Sequence, residues 1–177
     1  MRVVGGELGG RRLTGPPKSK GANLRPTTDR VREALFSALD DVADATVLDL
    51  FSGSGSLAIE ALSRGAASAV LVDSDTGLLT RNVDALGVRD RCTIVRSDAL
   101  LYLRRAGPRF DLVFCDPPYK LADRLGPRLD KIIPPRLAPG ARLIVESSTE
   151  EPLTLSLPVI RRREYGSTAL TIYGAPK

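Results

Sequence analysis

The sequence predicts an α/β protein with a Rossmann-like, seven-stranded, mostly parallel sheet and helices on both faces. Between residues 46 and 147, short apolar runs alternate with segments of helical periodicity, a pattern typical of strand–helix–strand units. Two further strand-like runs, residues 158–165 and 168–174, meet at Gly166 and Ser167. They predict an antiparallel hairpin that closes one edge of the sheet.

The N-terminal residues do not follow this alternation of strands and helices. Residues 2–14 contain two short strand-like runs around glycine-rich turns, and a loop rich in Pro, Lys and Gly follows. We therefore predict a small β-hairpin extension over residues 1–24, followed by the main domain over residues 25–177. The main domain begins with a helix capped by Thr28 or Asp29. The apolar positions of this helix have helical spacing: Val31, Ala34, Leu35, Ala38 and Leu39.

The alternating strands and helices form the central elements of the fold. The predicted strands cover residues 46–51, 68–73, 92–96, 110–115 and 141–147, and the helices cover 56–64, 75–86, 99–105 and 121–133. Gly65 and Gly87 follow the first two of these helices, as expected for residues that end a helix. At 177 residues the chain fits one domain, and we expect a monomer.

Positive charge is concentrated near the N-terminus. The net charge of the whole chain is +5. Residues 1–25 carry that same excess, because they contain one acid, Glu7, and six basic residues: Arg2, Arg11, Arg12, Lys18, Lys20 and Arg25. A localised basic segment favours a polyanion-binding arm. A solvated basic tail is the alternative interpretation.

Composition excludes several classes of chemistry. The chain has no histidine and two cysteines, Cys92 and Cys115, each within an apolar strand-like run. We expect two buried thiols, no zinc site and no imidazole base. No apolar run approaches the ~18 residues of a membrane span, and the N-terminus lacks the apolar region of a signal peptide. We expect a cytoplasmic protein.

The most informative stretch is FDLVFCDPPY (110–119), in which an apolar strand leads into Asp116, Pro117, Pro118 and Tyr119. A strand this apolar is expected to be buried in a sheet. Open α/β folds bind ligands at the carboxyl edge of their sheets. The sequence therefore predicts chemistry at residues 116–119. A strand-ending turn with Tyr119 in the core is the structural alternative.

A second motif, DLFSGSG (49–55), joins the first strand of the repeat to a helix. Glycines at such a junction allow close approach of backbone to a ligand, and the helix N-terminus offers free N–H groups. Gly53, Gly55 and Ala58, with Asp73 twenty positions after Gly53, also satisfy the dinucleotide fingerprint. However, Asp49 before the glycines would repel a pyrophosphate and suit a ligand with a positive amino-acid end.

Two further carboxylates follow neighbouring strands. Asp73 ends the second strand and can accept both hydroxyls of a ribose. Asp98 follows the third strand, where a ligand's adenine would lie. Each alone is often a helix cap, and Asp98 before Ala99 would serve well as one. With Asp49, they make three carboxylates at the same edge of three strands, which favours a binding site.

These motifs together resemble the class I S-adenosylmethionine-dependent methyltransferases that carry a D/N-P-P-Y/F motif and modify exocyclic amino groups. A closer resemblance is to the RsmD family, which methylates N2 of one guanine in bacterial 16S ribosomal RNA. It is carried by RPTTDRVREALF (25–36), DLFSGSGSLAIEALSRGA (49–66), Asn82 and residues 165–173. Departures are mild: Ser52 and Ser56 stand where Ala is expected, and Asp73 where Glu is frequent.

The resemblance implies a role for each motif. S-adenosylmethionine is the implied cofactor, bound by Asp49, Ser52, Gly53, Gly55, Asp73, Asp98, Ala99 and, through the segment closing over it, Thr27. Asp116 with Pro117, Pro118 and Tyr119 is the implied catalytic motif. Asp116 and the Pro117 carbonyl would accept the amine hydrogens while Tyr119 stacks on the base. The implied partner is ribosomal RNA, in an assembled or partly assembled small subunit.

Other functions remain open at this point. Adenine N6 in nucleic acid and a protein glutamine amide share the motif, although Asp rather than Asn at position 116 and the lack of a target-recognition domain disfavour a DNA enzyme. An NAD-dependent dehydrogenase is disfavoured by chain length and the missing histidine. A binding-only RNA assembly factor is disfavoured by carboxylates at all four strand ends.

Overall fold

A seven-stranded sheet forms the centre of the protein in the computed structural model, which describes residues 1–15, 29–39, 41–118 and 122–176. In chain order the strands are β1 (Thr46–Leu50), β2 (Ser68–Asp73), β3 (Cys92–Arg96), β4 (Phe110–Cys115), β5 (Leu137–Ser148), β6 (Val159–Tyr165) and β7 (Thr168–Gly174). Their order across the sheet is β3-β2-β1-β4-β5-β7-β6. The first five strands pair in parallel, and β7 is antiparallel to both β5 and β6. The predicted fold class is confirmed.

Helices cover both faces of the sheet. They are α1 (Asp29–Ala38), α2 (Ser56–Ser63), α3 (Gly77–Leu86), α4 (Ala99–Arg104) and α5 (Ala122–Ile132). One core cluster joins the apolar residues of α1, α2 and α3 to one face of the sheet, and the second joins α4 and α5 to the other. The strands supply both clusters because successive side chains point to opposite faces: Val47 belongs to the first cluster and Leu48 to the second. No described helix has the length and apolar character needed to cross a membrane.

Strand β5 is longer than predicted, since it begins at Leu137 rather than at residue 141. Pro139 and Gly140 made the first four residues resemble a loop. In the structure Leu137 pairs with Phe110, and the register then shifts so that Arg142 pairs with Leu112. This irregularity accommodates the two turn-forming residues within a strand.

The predicted N-terminal hairpin is present in a minimal form. Residues 1–15 fold back antiparallel through a single bridge, Arg2 with Arg12, rather than through extended strands. The segment also docks on α2, where the buried carboxylate of Glu60 accepts hydrogen bonds from the amides of Val4 (2.7 Å) and Gly5 (2.9 Å). Three apolar residues of the segment join the first core cluster: Val3, Leu8 and Leu13. The predicted boundary between residues 24 and 25 lies outside the described residues.

Candidate active site

Strand register brings four carboxylates to the carboxyl edge of the sheet. Leu50 of β1 pairs with Val72 of β2 and with Cys115 of β4, and Cys115 pairs with Val145 of β5. The residues that follow Val72, Cys115 and Val145 are all acids, so Asp73, Asp116 and Glu146 lie at one common level across the sheet. Asp49 lies two positions below that level, so period-2 alternation places it on the same face of the sheet.

Asp49 is the most deeply buried of the carboxylates named in the sequence motifs. Its side chain is 2% exposed, and its Oδ2 accepts a hydrogen bond from the Ala58 amide in the first turn of α2 at 3.3 Å. Burial, with a smaller contribution from repulsion by Asp73, raises the pKa of Asp49 to about 7, although the Ala58 and Ser52 hydrogen bonds act in the opposite direction. Asp49 is therefore a carboxylate whose charge the protein alone stabilises poorly.

The glycine loop between β1 and α2 has an unusual backbone. Phe51, Gly53 and Gly55 all have φ in the left-handed region, at 61°, 54° and 77°. Glycine adopts this conformation at no steric penalty, but Phe51 does not, and such strain is concentrated at functional turns. A Cβ on Gly55 would meet Leu79 of α3 at 2.5 Å, so Gly55 is also required for packing. Ser52 closes the turn, because its hydroxyl donates to the Asp49 carbonyl at 2.7 Å.

Asp73 holds the glycine loop from the neighbouring strand. Its Oδ2 accepts a hydrogen bond from the Gly53 amide at 2.8 Å, and its Oδ1 accepts one from the Asp75 amide at 2.9 Å. A carboxylate has about four acceptor positions, and Asp73 is only partly buried. The Ser74 hydroxyl also donates to Oδ1, at 3.5 Å, so these contacts leave about one acceptor position free for the hydroxyls of a ribose.

Asp116 lies directly after β4 and contacts no hydrogen-bond donor among the described residues. Burial raises its pKa well above the ordinary value, and repulsion from Glu146 and Asp49 raises it further. No ion pair of the described residues includes Asp49, Asp73 or Asp116. The edge of the sheet is therefore strongly acidic and is suited to a ligand that carries positive charge.

Glu146 is a residue of this site that was not predicted. It lies in β5, is 3% exposed and faces Asp116 closely enough to raise the pKa of that carboxyl. The available signal was a charged residue near the carboxyl end of an otherwise apolar strand. Its relation to Asp116 needed the pairing of β4 with β5, which the sequence does not state.

Asp98 and Ala99 lie beyond β3, at the start of α4. The Asp98 carboxylate accepts a hydrogen bond from the Leu101 amide at 3.0 Å, so it is the N-cap of α4. Asp98 is exposed and Ala99 is buried. The capping interpretation is thus realised, and the exposed carboxylate still borders the same edge of the sheet.

The proline pair forms the described part of the catalytic motif. Pro117 is buried and Pro118 is exposed. Because proline has no N–H and a fixed φ, the two residues form a rigid, acceptor-only segment beside Asp116. Five predicted site residues lie outside the described residues: Tyr119, Thr27, Lys18, Lys20 and Arg25.

The described basic residues of the N-terminal segment are not equivalent. Arg2 and Arg12 are exposed. Arg11 is also exposed, but its guanidinium donates to the carbonyls of Leu86 (3.0 Å) and Ala85 (2.9 Å) at the C-terminus of α3. Arg11 therefore satisfies helix-terminal carbonyls, whereas Arg2 and Arg12 present their charge to solvent.

Asn82 of α3 joins this segment to the glycine loop. Its Oδ1 accepts a hydrogen bond from the Thr14 amide, and its Nδ2 donates to the carbonyls of Thr14 and Ser54, each at 2.9 Å. The carboxamide is 2% exposed. Residue 82 was singled out by resemblance alone, and these contacts give it a physical role: it fixes Ser54 relative to the N-terminal segment.

Comparisons with known proteins agree with this architecture. Residues 1–174 match the family described as conserved hypothetical protein 95. Ribosomal RNA small subunit methyltransferase D from Escherichia coli K12 is 43% identical over 124 residues, which cover 68% of this chain and 61% of that relative. The chain thus aligns with about six tenths of that relative's length.

Two further relatives align along nearly the whole chain. The putative rRNA methyltransferase YlbH of Bacillus subtilis is 36% identical over 184 residues, covering 98% of each chain. The solved structure of the putative methyltransferase yhhF from Escherichia coli superposes with a TM-score of 0.82 at 36% identity, covering 99% of this chain and 97% of that one. The Rossmann-like fold is shared along with the sequence.

Proposed function

This chain belongs to the family described as conserved hypothetical protein 95, the RsmD family, and from that membership we propose that it methylates ribosomal RNA of the small subunit. Its cofactor is S-adenosylmethionine. The reacting group is the exocyclic N2 amine of one guanine in 16S ribosomal RNA. The names of the relatives support the rRNA substrate, and the D-P-P-Y motif supports an exocyclic amine.

The acidic edge of the sheet is the observation that carries this proposal. Burial and repulsion from neighbouring carboxylates raise the pKa values of Asp49 and Asp116, and no described ion pair balances them. A ligand with positive charge relieves that repulsion, whereas a pyrophosphate would increase it. S-adenosylmethionine carries a sulfonium and an ammonium, so it fits this donor set better than NAD.

The residues that would hold the cofactor are those that the family resemblance implies. Asp49, Ser52 and the Gly53–Gly55 turn would bind the methionine end, and Asp73 the ribose. Asp98 and Ala99 would border the adenine, and Thr27 would belong to the segment that closes over the cofactor. When bound, S-adenosylmethionine supplies an activated methyl group on a positively charged sulfur.

The protein's contribution to the reaction is chiefly alignment. The attacking amine is a weak nucleophile because its lone pair is delocalised into the base. Positioning against an activated methyl group can contribute several kcal/mol. The Asp116 carboxylate and the Pro117 carbonyl accept the two amine hydrogens, which directs the lone pair toward the methyl carbon. Tyr119 stacks on the base, which must be extruded or already single-stranded.

Ionisation of Asp116 is a condition of this role. A protonated carboxyl would donate rather than accept, and burial and Glu146 favour the protonated form. A neighbouring positive charge lowers the pKa again. A bound positive charge therefore favours the ionised form, so cofactor binding supports the acceptor role of Asp116.

The test compares two aspartates of one strand. Asp116→Ala should abolish methyl transfer from labelled S-adenosylmethionine to 16S RNA, while calorimetry shows cofactor affinity within several-fold of the unmodified protein. Asp111→Ala removes an exposed aspartate at the opposite end of β4, which accepts hydrogen bonds from Thr46, and should leave transfer unchanged. Normal turnover by Asp116→Ala would overturn the catalytic assignment.

A further inference from the structure

Strand β6 is an exposed sheet edge with a run of positive charge. Within the described part of the chain it pairs only with β7, and every residue from Val159 to Glu164 is exposed. Its centre is three consecutive arginines, Arg161, Arg162 and Arg163. These residues lie outside the basic N-terminal segment and have no part in the site described above.

The three arginines divide between the two faces of the sheet. Arg162 forms an ion pair with Glu164 at 2.9 Å. Arg161 and Arg163 point to the other face, where they line a shallow groove with Tyr165 and with Ala34 and Ala38 of α1. Neither forms an ion pair with a described residue. Two uncompensated cations are thus held side by side along the groove.

Topology connects this groove with the acidic site. Tyr165 pairs with Thr168, and Thr168 pairs with Ser148, two residues beyond Glu146. The end of β6 therefore lies at the same edge of the sheet as Asp116. Three strand spacings separate β4 from β6, a distance of about 14 Å. A polynucleotide with one base at Asp116 can reach this strand within a few nucleotides.

A second copy of the chain is a poor occupant of the same edge. Antiparallel self-pairing centred on Arg162 would place Arg161 opposite Arg163 and the two Arg162 side chains opposite each other. Like charges directly opposite each other destabilise a strand pair, and charged side chains are a common means of keeping an edge unpaired. A polyanion meets no such penalty.

We propose that Arg161 and Arg163 bind the phosphate backbone of the substrate RNA beside the methylated nucleotide. This inference rests on the proposed function and adds a second contact surface to the N-terminal segment. The two surfaces would hold the RNA on both sides of the extruded base. Phosphate contacts of this kind position the RNA without reading its sequence.

The test uses a matched pair of double variants. Arg161→Gln with Arg163→Gln removes two charges from β6, and Arg104→Gln with Arg109→Gln removes two exposed arginines near the start of β4, at the amino edge of the sheet. Binding to a 16S RNA fragment is measured by fluorescence anisotropy across a salt series. The β6 pair should lower the log–log salt slope by about 1.4 to 1.8, from 0.7 to 0.9 per contact. It should weaken binding about tenfold.

Further measurements distinguish the effect of losing charge from the effect of losing structure. The amino-edge pair should keep the slope of the unmodified protein. Arg161→Lys with Arg163→Lys should also keep most of it, because a point charge is sufficient for phosphate. Affinity for S-adenosylmethionine should be the same in all variants. A β6 pair that matches the amino-edge pair in slope and affinity would overturn the proposal, and the arginines would then serve only to protect the edge.

The experiments distinguish a failure of this RNA contact surface from a failure of the proposed function. If the unmodified protein methylates RNA while the β6 pair binds RNA normally, only the contact surface is wrong. If the β6 pair loses RNA affinity but the unmodified protein transfers no methyl group to naked RNA or to small subunits, the proposed function is wrong and the RNA surface stands.

Discussion

Replacement of Asp49 by Asn tests the electrostatic account of the site in the cofactor-free protein. The pKa of Asp49 is 3.8 in an unfolded chain and about 7 in the fold. Between these pH values the folded protein binds a proton that the unfolded chain does not. Stability therefore falls as pH rises through this window. Above pH 7 the penalty is on the order of 4 kcal/mol.

Asn keeps the oxygen that accepts from Ala58 but cannot carry the charge. Relative to the unmodified protein, Asp49→Asn should therefore gain stability as pH rises. The difference in free energy of unfolding should be about 2 to 3 kcal/mol larger at pH 8 than at pH 5. Urea denaturation of both proteins at the two pH values measures this difference. A difference that does not change between pH 5 and pH 8 would refute the reasoning.

Asp111 provides a control of opposite sign. Hydrogen bonds from the hydroxyl and amide of Thr46 hold the pKa of Asp111 below its ordinary value. Its contribution to stability is complete above pH 3.8 and is lost only as pH falls through the lowered pKa. Asp111→Asn should therefore be less stable than the unmodified protein by an equal amount at pH 5 and at pH 8.

Three further predictions follow from individual contacts. Asn82→Ala should lower the free energy of unfolding by about 2 to 4 kcal/mol, since three partly buried hydrogen bonds are lost, and should weaken cofactor binding through Ser54. Urea denaturation and calorimetry test both effects, and unchanged cofactor affinity would limit Asn82 to a structural role. Arg2→Gln with Arg12→Gln should lower the salt slope of RNA binding by about 1.4 to 1.8; an unchanged slope would leave these two arginines as solvated surface charges. Arg11→Gln should instead lower thermal stability and leave that slope intact, because its guanidinium is bound to α3.

Local patterns were sufficient for most of the fold. The bounds of β2 and β3 agree with the prediction because polar or turn-forming residues flank both apolar runs. The glycine loop and the carboxylates at the ends of β1, β2 and β4 were placed by the same reasoning, since parallel strands bring their carboxyl ends to one edge. The spacing of apolar residues and the convergence of parallel strands at one edge were therefore enough to place these elements.

Contacts distant in sequence could not be predicted. Residues 2–14 fold back as predicted, because glycines separate two short apolar runs, but hydrogen bonds to Glu60, more than fifty residues away, fix where the segment docks. The roles of Glu146 and Asn82 also depend on contacts between residues distant in sequence. Each depends on a partner in another element, Asp116 or Ser54, and their approach is set by sheet register and helix packing rather than by spacing along the chain.

Nucleoside analysis of the methylated product tests the central claim most directly. The protein is incubated with labelled S-adenosylmethionine and with undermethylated 16S RNA, both free and within small subunits. The RNA is then digested and its labelled nucleosides are separated. The account predicts N2-methylguanosine as the labelled product in at least one of the two substrates. Label in N6-methyladenosine, or no label in either substrate, would contradict it.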